Sequence, residues 1–316
     1  VAAIADEISK TGNSSASAPF HATLPVSTID GPNLASAAAI EFGRRFAEAY
    51  QSAQPFPHVM FDDFLPRDLV EDLLTRFPKA APRPHDVVYA DNTFEHLKRQ
   101  VNPDDCDRIV REAFRFFNSA AMLDFLTALT GIKGLIADSY YEGGGFHEIY
   151  AGGKLGLHAD FRVNRRLSLQ RRLNLLLYLN KEWDDRYNGQ LELWDRSAKR
   201  RVRAISPIFN RCVIFSTDRD SFHGHPDPLK TPAGISRRSL ALYYYTASDH
   251  VFLETPGKGT AFVARPHDDS STKLAARRLQ VTDWLKRAPA EFLPPVIYRR
   301  LRRVKARVKD AAKSRR

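Results

Sequence analysis

The sequence predicts a mainly β protein with supporting helices, its strands wound into a double-stranded β-helix, or jelly-roll barrel. Three observations predict it. The hydrophobic period changes from 3.6 to 2 at Ile136. From there to Thr246, short strand candidates follow one another, separated by Gly, Pro or Asn/Asp clusters. A His-x-Asp pair at His158 and Asp160 is answered by a distal His223 and an Arg237-x-Ser239, and a barrel mouth is where such dispersed polar groups converge.

The elements follow in order. Residues 1–30 are Ala/Ser/Thr-rich without a sustained period and read as a disordered arm. Between Asn33 and Ala53, Ala39, Phe42, Phe46, Ala49, Tyr50 and Ala53 recur at helical spacing, with Glu41, Arg44, Arg45 and Glu48 opposite. Pro55 to Pro66 is extended, and Pro66 opens a helix from Arg67 to Phe77. Helical patterns cover Asp107 to Phe117 and Ala120 to Leu129, the second broken at Gly131. The strand candidates are Asp138–Glu142, Phe146–Tyr150, Lys154–His158, Arg172–Asn180, Gln190–Trp194, Arg201–Ile205, Arg211–Ser216, Ser221–His225 and Arg237–Thr246.

After Thr255 the chain turns polar, and Thr272 to Arg287 has helical character that Pro289 would end. The last stretch places Ile297, Leu301, Val304, Val308 and Ala311 on one helical stripe, with basic residues on the other faces. Ten Lys/Arg against the single acid Asp310 between Val296 and Arg316 supply nine of the eleven net positive charges. The high pI therefore describes a tail and not the barrel. Such a helix suits docking by its apolar stripe or attachment to an anionic membrane surface. Nucleic acid is disfavoured as a partner, because a short tail without interleaved aromatics reads sequence poorly.

A length of 316 residues, 43% hydrophobic content and 20 Phe provide for one domain with a substantial core. The domain is expected over 31–255, helices first, with the arm of 1–30 before it and an extension over 256–316 behind it. Cys106 and Cys212 offer no disulfide framework. There is no long apolar run and no signal-peptide core between Val1 and Thr28. These features point to the cytoplasm, with the basic helix as a means of lying against the inner face of a membrane.

His158 and Asp160 are two apart, so on an extended backbone both side chains face one way and can grip one metal ion. Roughly 60 residues later, enough for several strands of a jelly roll, His223 can return to complete the set. Two imidazoles and a carboxylate on one face of Fe(II) leave three positions open, the arrangement of non-haem iron oxygenases. A lone His-x-Asp would mean little in a chain with ten His, since about one such triplet arises by chance. The ordered set within a strand-rich region is what carries the reading. His225 competes with His223 because both share a face on a regular strand, and a register slip of one would exchange Arg237 for Arg238. His147 and His250 read as structural or exposed.

These residues resemble the Fe(II)/2-oxoglutarate-dependent dioxygenases, in the prolyl 4-hydroxylase-like branch, over roughly residues 137–246. His158-Ala-Asp160 and His223 match the family's iron ligands. Tyr178-Leu-Asn-Lys-Glu-Trp-Asp184, followed by Gly189-Gln-Leu-Glu-Leu193, is similar to a strand, turn and strand of the oxygen-sensing prolyl hydroxylases of animals. The resemblance implies Fe(II) and 2-oxoglutarate, with ascorbate as a candidate accessory reductant, and hydroxylation of a C–H bond in a protein prolyl residue or a small molecule. It implies that Arg237 and Ser239 receive the far carboxylate of 2-oxoglutarate, that Tyr178 adds its phenol, and that Tyr150 stands near the cosubstrate. Asp160 argues against the halogenating relatives, which lack that carboxylate. The spacing from His223 to Arg237 exceeds that of typical hydroxylases and implies an enlarged loop, Pro226 to Gly234. The lid Phe161 to Arg172 carries five arginines, read as a solvated rim or a receiver of acidic substrate. The competing class is a non-catalytic barrel that binds a membrane or partner through its basic helix.

Overall fold

The computed structural model describes residues 18–78, 87–88, 92–164, 166–247 and 260–292. Its strands are β1 (Phe20–His21), β2 (His58–Asp62), β3 (Val87–Val88), β4 (Glu95–Val101), β5 (Ile136–Ala137), β6 (Gly145–Ala159) and β7 (Val163–Asn164). Further along come β8 (Leu169–Tyr178), β9 (Leu191–Trp194), β10 (Arg201–Ile205), β11 (Cys212–Ser216), β12 (His223–His225), β13 (Arg237–Thr246) and β14 (Ala261–Phe262). The helices are α1 (Ser36–Ser52), α2 (Arg67–Thr75), α3 (Arg108–Phe117), α4 (Ala120–Thr130) and α5 (Ser270–Phe292). The principal strand order is β1-β2-β11-β8-β13-β6-β12-β9-β10, consistent with a double-stranded β-helix.

Local chemistry sets the helix ends. Asp107 caps α3 by accepting from the Val110 amide at 3.1 Å, and Ser119 caps α4 by accepting from Met122. Gly131, at φ 75°, closes α4 in the left-handed region that glycine enters without penalty. The helices cover one face of the sheet, where Phe46, Phe61, Phe64 and Phe125 form an aromatic core with Phe46 and Phe61 edge to face at 5.0 Å. A smaller cluster that includes Phe56, Tyr178, Leu193 and Phe215 packs separately.

Strand β6 organises the rest. Its first part pairs with β13, Ile149 opposite Arg237, and its last part pairs with β12, His158 opposite His223. The two strands expected at 146–150 and 154–158 are therefore one. It turns at Gly152, φ 81°, beside Gly153, where an added Cβ would lie 2.6 Å from the Ile149 side chain. The enlarged loop after His225 folds back on this turn, with Leu229 exchanging backbone hydrogen bonds with Gly152 and Gly153 at 2.8 and 3.0 Å.

Four expectations are corrected. Asp138–Glu142 is a turn, because the Asp138 carboxylate accepts from the Tyr140 and Glu142 amides at 2.8 and 2.9 Å. Strand β4 was not expected; its polar sequence hides a segment paired along β6. The arm is not disordered throughout: Phe20–His21 pairs in parallel with Phe61–Asp62, and Leu24 is fully buried. Residues 1–17 lie outside the described residues. Helix α5 runs on through Pro289, although the ring removes one bond of the ladder. The basic helix expected over 296–316 lies outside the described residues, as does His250. Among the described residues, no helix is long and apolar enough to cross a membrane.

Candidate active site

Where β6 and β12 pair, His158 and His223 sit opposite each other with ring centroids 4.4 Å apart. His158 Nδ1 lies 2.8 Å from the Gly156 carbonyl, and His223 Nδ1 lies 2.9 Å from the Ser221 carbonyl. A carbonyl only accepts, so each Nδ1 carries the proton and each Nε2 keeps its lone pair. Those lone pairs face Asp160: His158 Nε2 is 3.7 Å from Oδ1 and His223 Nε2 is 3.4 Å from Oδ2. One ligand atom from each of the three lies within 4.8 Å of the others. Two tautomer-locked imidazoles and an ionised carboxylate are a donor set that fits a divalent ion such as Fe(II). His225 is not part of this cluster.

Asp160 is held from behind. Its Oδ2 accepts from Asn174 Nδ2 at 2.8 Å and pairs with the buried Arg171 guanidinium at 3.1 Å. Burial alone would raise the Asp160 carboxyl; Arg171, then His223 and His158, overcome this and hold it well below the usual carboxylate range. Arg171 also bonds Asn174 Oδ1 and stacks 3.4 Å over the Tyr243 ring. It is therefore neither rim nor lid. Inward alternation along β8 from Tyr178 through Leu176 and Asn174 would bring Arg172 next, but a register shift opposite Tyr244 and Tyr245 turns Arg171 inward instead. Burial pushes His223 down to about 4, against the opposing attraction of Asp160, which keeps this imidazole neutral near pH 7.

Arg237 and Ser239 line the same cavity, of about 150 Å³, as the three candidate ligands. Arg237 is 5% exposed, donates from Nε to the Gly189 carbonyl at 2.8 Å and from Nη2 to Tyr178 Oη at 3.2 Å. Tyr178 thus stands behind the guanidinium and orients it. Arg238 faces the other way, bonding Glu148 at 3.2 Å and covering the Phe77 ring. Tyr150 is also on that side: its phenol donates to Glu148 Oε2 at 3.0 Å and does not line the cavity. The pleat turns His147 and Ile149 inward and sends Glu148 and Tyr150 to the other face.

Sequence reasoning missed Lys98, on β4, which is 7% exposed, lines the cavity and lies 3.6 Å from Glu95. His147, read as structural or exposed, is buried in the cavity wall with Nε2 2.9 Å from the Gly143 carbonyl. The Phe215 ring, 4.8 Å from His223, and Phe262 of β14, 5.5 Å from His158, give the two imidazoles apolar backing.

The family model of the 2OG-Fe(II) oxygenase superfamily matches residues 144–245. Among solved structures, a Trichoplax adhaerens prolyl hydroxylase in complex with a hypoxia inducible factor peptide fragment is 16% identical, covering 66% of this chain and 91% of its own, at a TM-score of 0.44. A Pseudomonas putida prolyl-4-hydroxylase is 19% identical over 65% of this chain and 98% of its own, at 0.42. A Phytophthora capsici prolyl 4-hydroxylase is 18% identical over 81% and 77%, at 0.48. No curated protein matches.

Proposed function

We propose that the protein is an Fe(II)- and 2-oxoglutarate-dependent dioxygenase, its residues 144–245 matching the 2OG-Fe(II) oxygenase superfamily, in which His158, Asp160 and His223 hold the iron and Arg237 with Ser239 receives the far carboxylate of 2-oxoglutarate. The observation that carries this assignment is the convergence of the three ligand groups and a buried Arg237 on one cavity. Bound iron, with 2-oxoglutarate and oxygen, supplies oxidising chemistry that couples loss of carbon dioxide to hydroxylation of a C–H bond.

The chain's own residues do the rest. Backbone carbonyls of Gly156 and Ser221 fix both imidazoles in the ligating tautomer. Arg171 and Asn174 hold Asp160 by Oδ2, leaving Oδ1 for the ion. The 5-carboxylate would be a costly buried charge without a cation, and Arg237 provides one in a fixed orientation set by Tyr178 and Gly189. Ile149, Leu176 and Leu191 line the cavity between these polar groups and limit water. The hydroxylated group belongs to a protein prolyl residue or a small molecule. A non-catalytic barrel is disfavoured, because four convergent buried polar groups would only destabilise a scaffold.

The test is anaerobic addition of Fe(II) and then 2-oxoglutarate, monitored by the visible metal-to-ligand charge-transfer band. The wild type should develop the band and His158→Ala should not. Arg237→Ala should raise the 2-oxoglutarate midpoint about 10- to 100-fold, the loss of a charged hydrogen-bonded contact. A band that survives in His158→Ala would sink the ligand assignment.

A further inference from the structure

Two buried polar side chains in the cavity have no task in the scheme above. His225 is 3% exposed, and neither ring nitrogen has a hydrogen-bond partner. Such an orphan is costly inside a protein and calls for a ligand group. Lys98 lines the cavity as well, held by Glu95. Register locates the pair: Leu155 pairs with His225 on one side and, on the other, with Glu95, the partner of Lys98. Ile149 pairs with Lys98 on one side and with Arg237 on the other, so the three side chains form a row on one face. The backbones bearing the two cations stand two strand spacings apart, roughly 10 Å.

Charge accounting gives the sign of the missing group. Among the described residues lining the cavity, Lys98, Arg171 and Arg237 face Glu95 and Asp160. Counted as formal charges, the lining is left with one excess positive charge; burial lowers the pKa of the Lys98 ammonium, and Glu95 and Asp160 oppose that. A divalent ion and a 2-oxoglutarate dianion cancel each other, so the loaded site keeps that excess. Both carboxylates of the cosubstrate are already engaged, one at the metal and one at Arg237. Whichever tautomer the His225 ring adopts, it presents an N–H donor inside the cavity.

We propose that Lys98 and His225 form a second anion subsite that receives a carboxylate or phosphate group of the primary substrate, which makes that substrate a small anionic molecule. This rests on the assignment of Arg237 to the cosubstrate. Thr260, also in the cavity wall, adds a hydroxyl from beyond the segment that matches the family.

The experiment uses the full chain loaded anaerobically with Fe(II) and 2-oxoglutarate, with acetate or inorganic phosphate titrated at constant ionic strength while the charge-transfer band is followed. In the wild type a saturable shift of the band is expected. Lys98→Gln should weaken that response at least about tenfold while leaving the 2-oxoglutarate midpoint within about twofold, and Lys98→Arg should restore the response. No saturable shift in the wild type, or an equal one in Lys98→Gln, would overturn the subsite. A tenfold rise in the 2-oxoglutarate midpoint of Lys98→Gln would also overturn it, because Lys98 would then serve the cosubstrate. Absence of any band in the wild type is a different failure: it removes the iron site and this subsite together.

Discussion

His58, at the start of β2, is 3% exposed, with Nδ1 2.9 Å from the Phe56 carbonyl. Burial lowers its pKa from 6.5 to about 4, with Phe56 opposing and Arg203 adding to the shift. The unfolded chain therefore takes up a proton at this site between pH 6.5 and about 4 while the folded chain does not, so its contribution to stability is present above pH 6.5 and is lost as pH falls through that window. The slope is at most about 1.4 kcal/mol per pH unit. His58→Gln should flatten the fall in denaturant midpoint between pH 6.5 and 4; an unchanged slope would show that other groups dominate. Legibility at this scale depended on the pleat. Arg237 and Arg238 are consecutive on one strand, and the two-residue period separates them into cavity and exterior. The same parity turns Tyr150 away from the cavity and onto Glu148. Arg171 was illegible because its inward turn depends on a register shift, which one strand's sequence does not display.

Among the elements, β6 and β12 decide the geometry of the proposed iron ligands. Gly224 separates His223 from His225 at the point of closest approach, and a Cβ there would stand 2.6 Å from the Gly156 carbonyl oxygen. That carbonyl's residue also orients His158. Gly224→Ala should push the strands apart and weaken Fe(II) binding about 10- to 100-fold, comparable to loss of an outer partner of a ligand. Equilibrium dialysis against Fe(II), with circular dichroism to confirm folding, measures it; wild-type affinity would mean that the strands accommodate the methyl group. The apolar strands β8, β11 and β13 were readable from their period, since hydrophobic alternation survives wherever one sheet face meets a core. Strand β4, Glu-His-Leu-Lys-Arg-Gln-Val, was not, because buried ion pairs such as Arg99 with Glu148 replace the apolar pattern there.

For the molecule as a whole, charge divides unevenly between barrel and tail, and nine of the eleven net positive charges lie between Val296 and Arg316. Removing 296–316 should leave the charge-transfer band unchanged and reduce sedimentation with vesicles containing phosphatidylserine, by about 1 kcal/mol per basic residue held near the surface. Equal binding by both forms would dismiss the membrane surface as the tail's partner. Jelly-roll architecture was legible from strand pitch and from the wide separation of the candidate ligands, because closing a sheet on itself is how distant strands become neighbours. The N-terminal arm was misread because two residues of pairing and one buried leucine leave no period to detect.

Strand β14 lies beyond residue 245, where the family match stops, yet it pairs with Ala159 and His158 and stacks Phe262 on Phe94 at 4.9 Å. The segment that matches the family and the segment that encloses the cavity therefore have different lengths. A gene fragment cut at the recognisable border would encode all three proposed ligands and still leave one wall of the chamber behind.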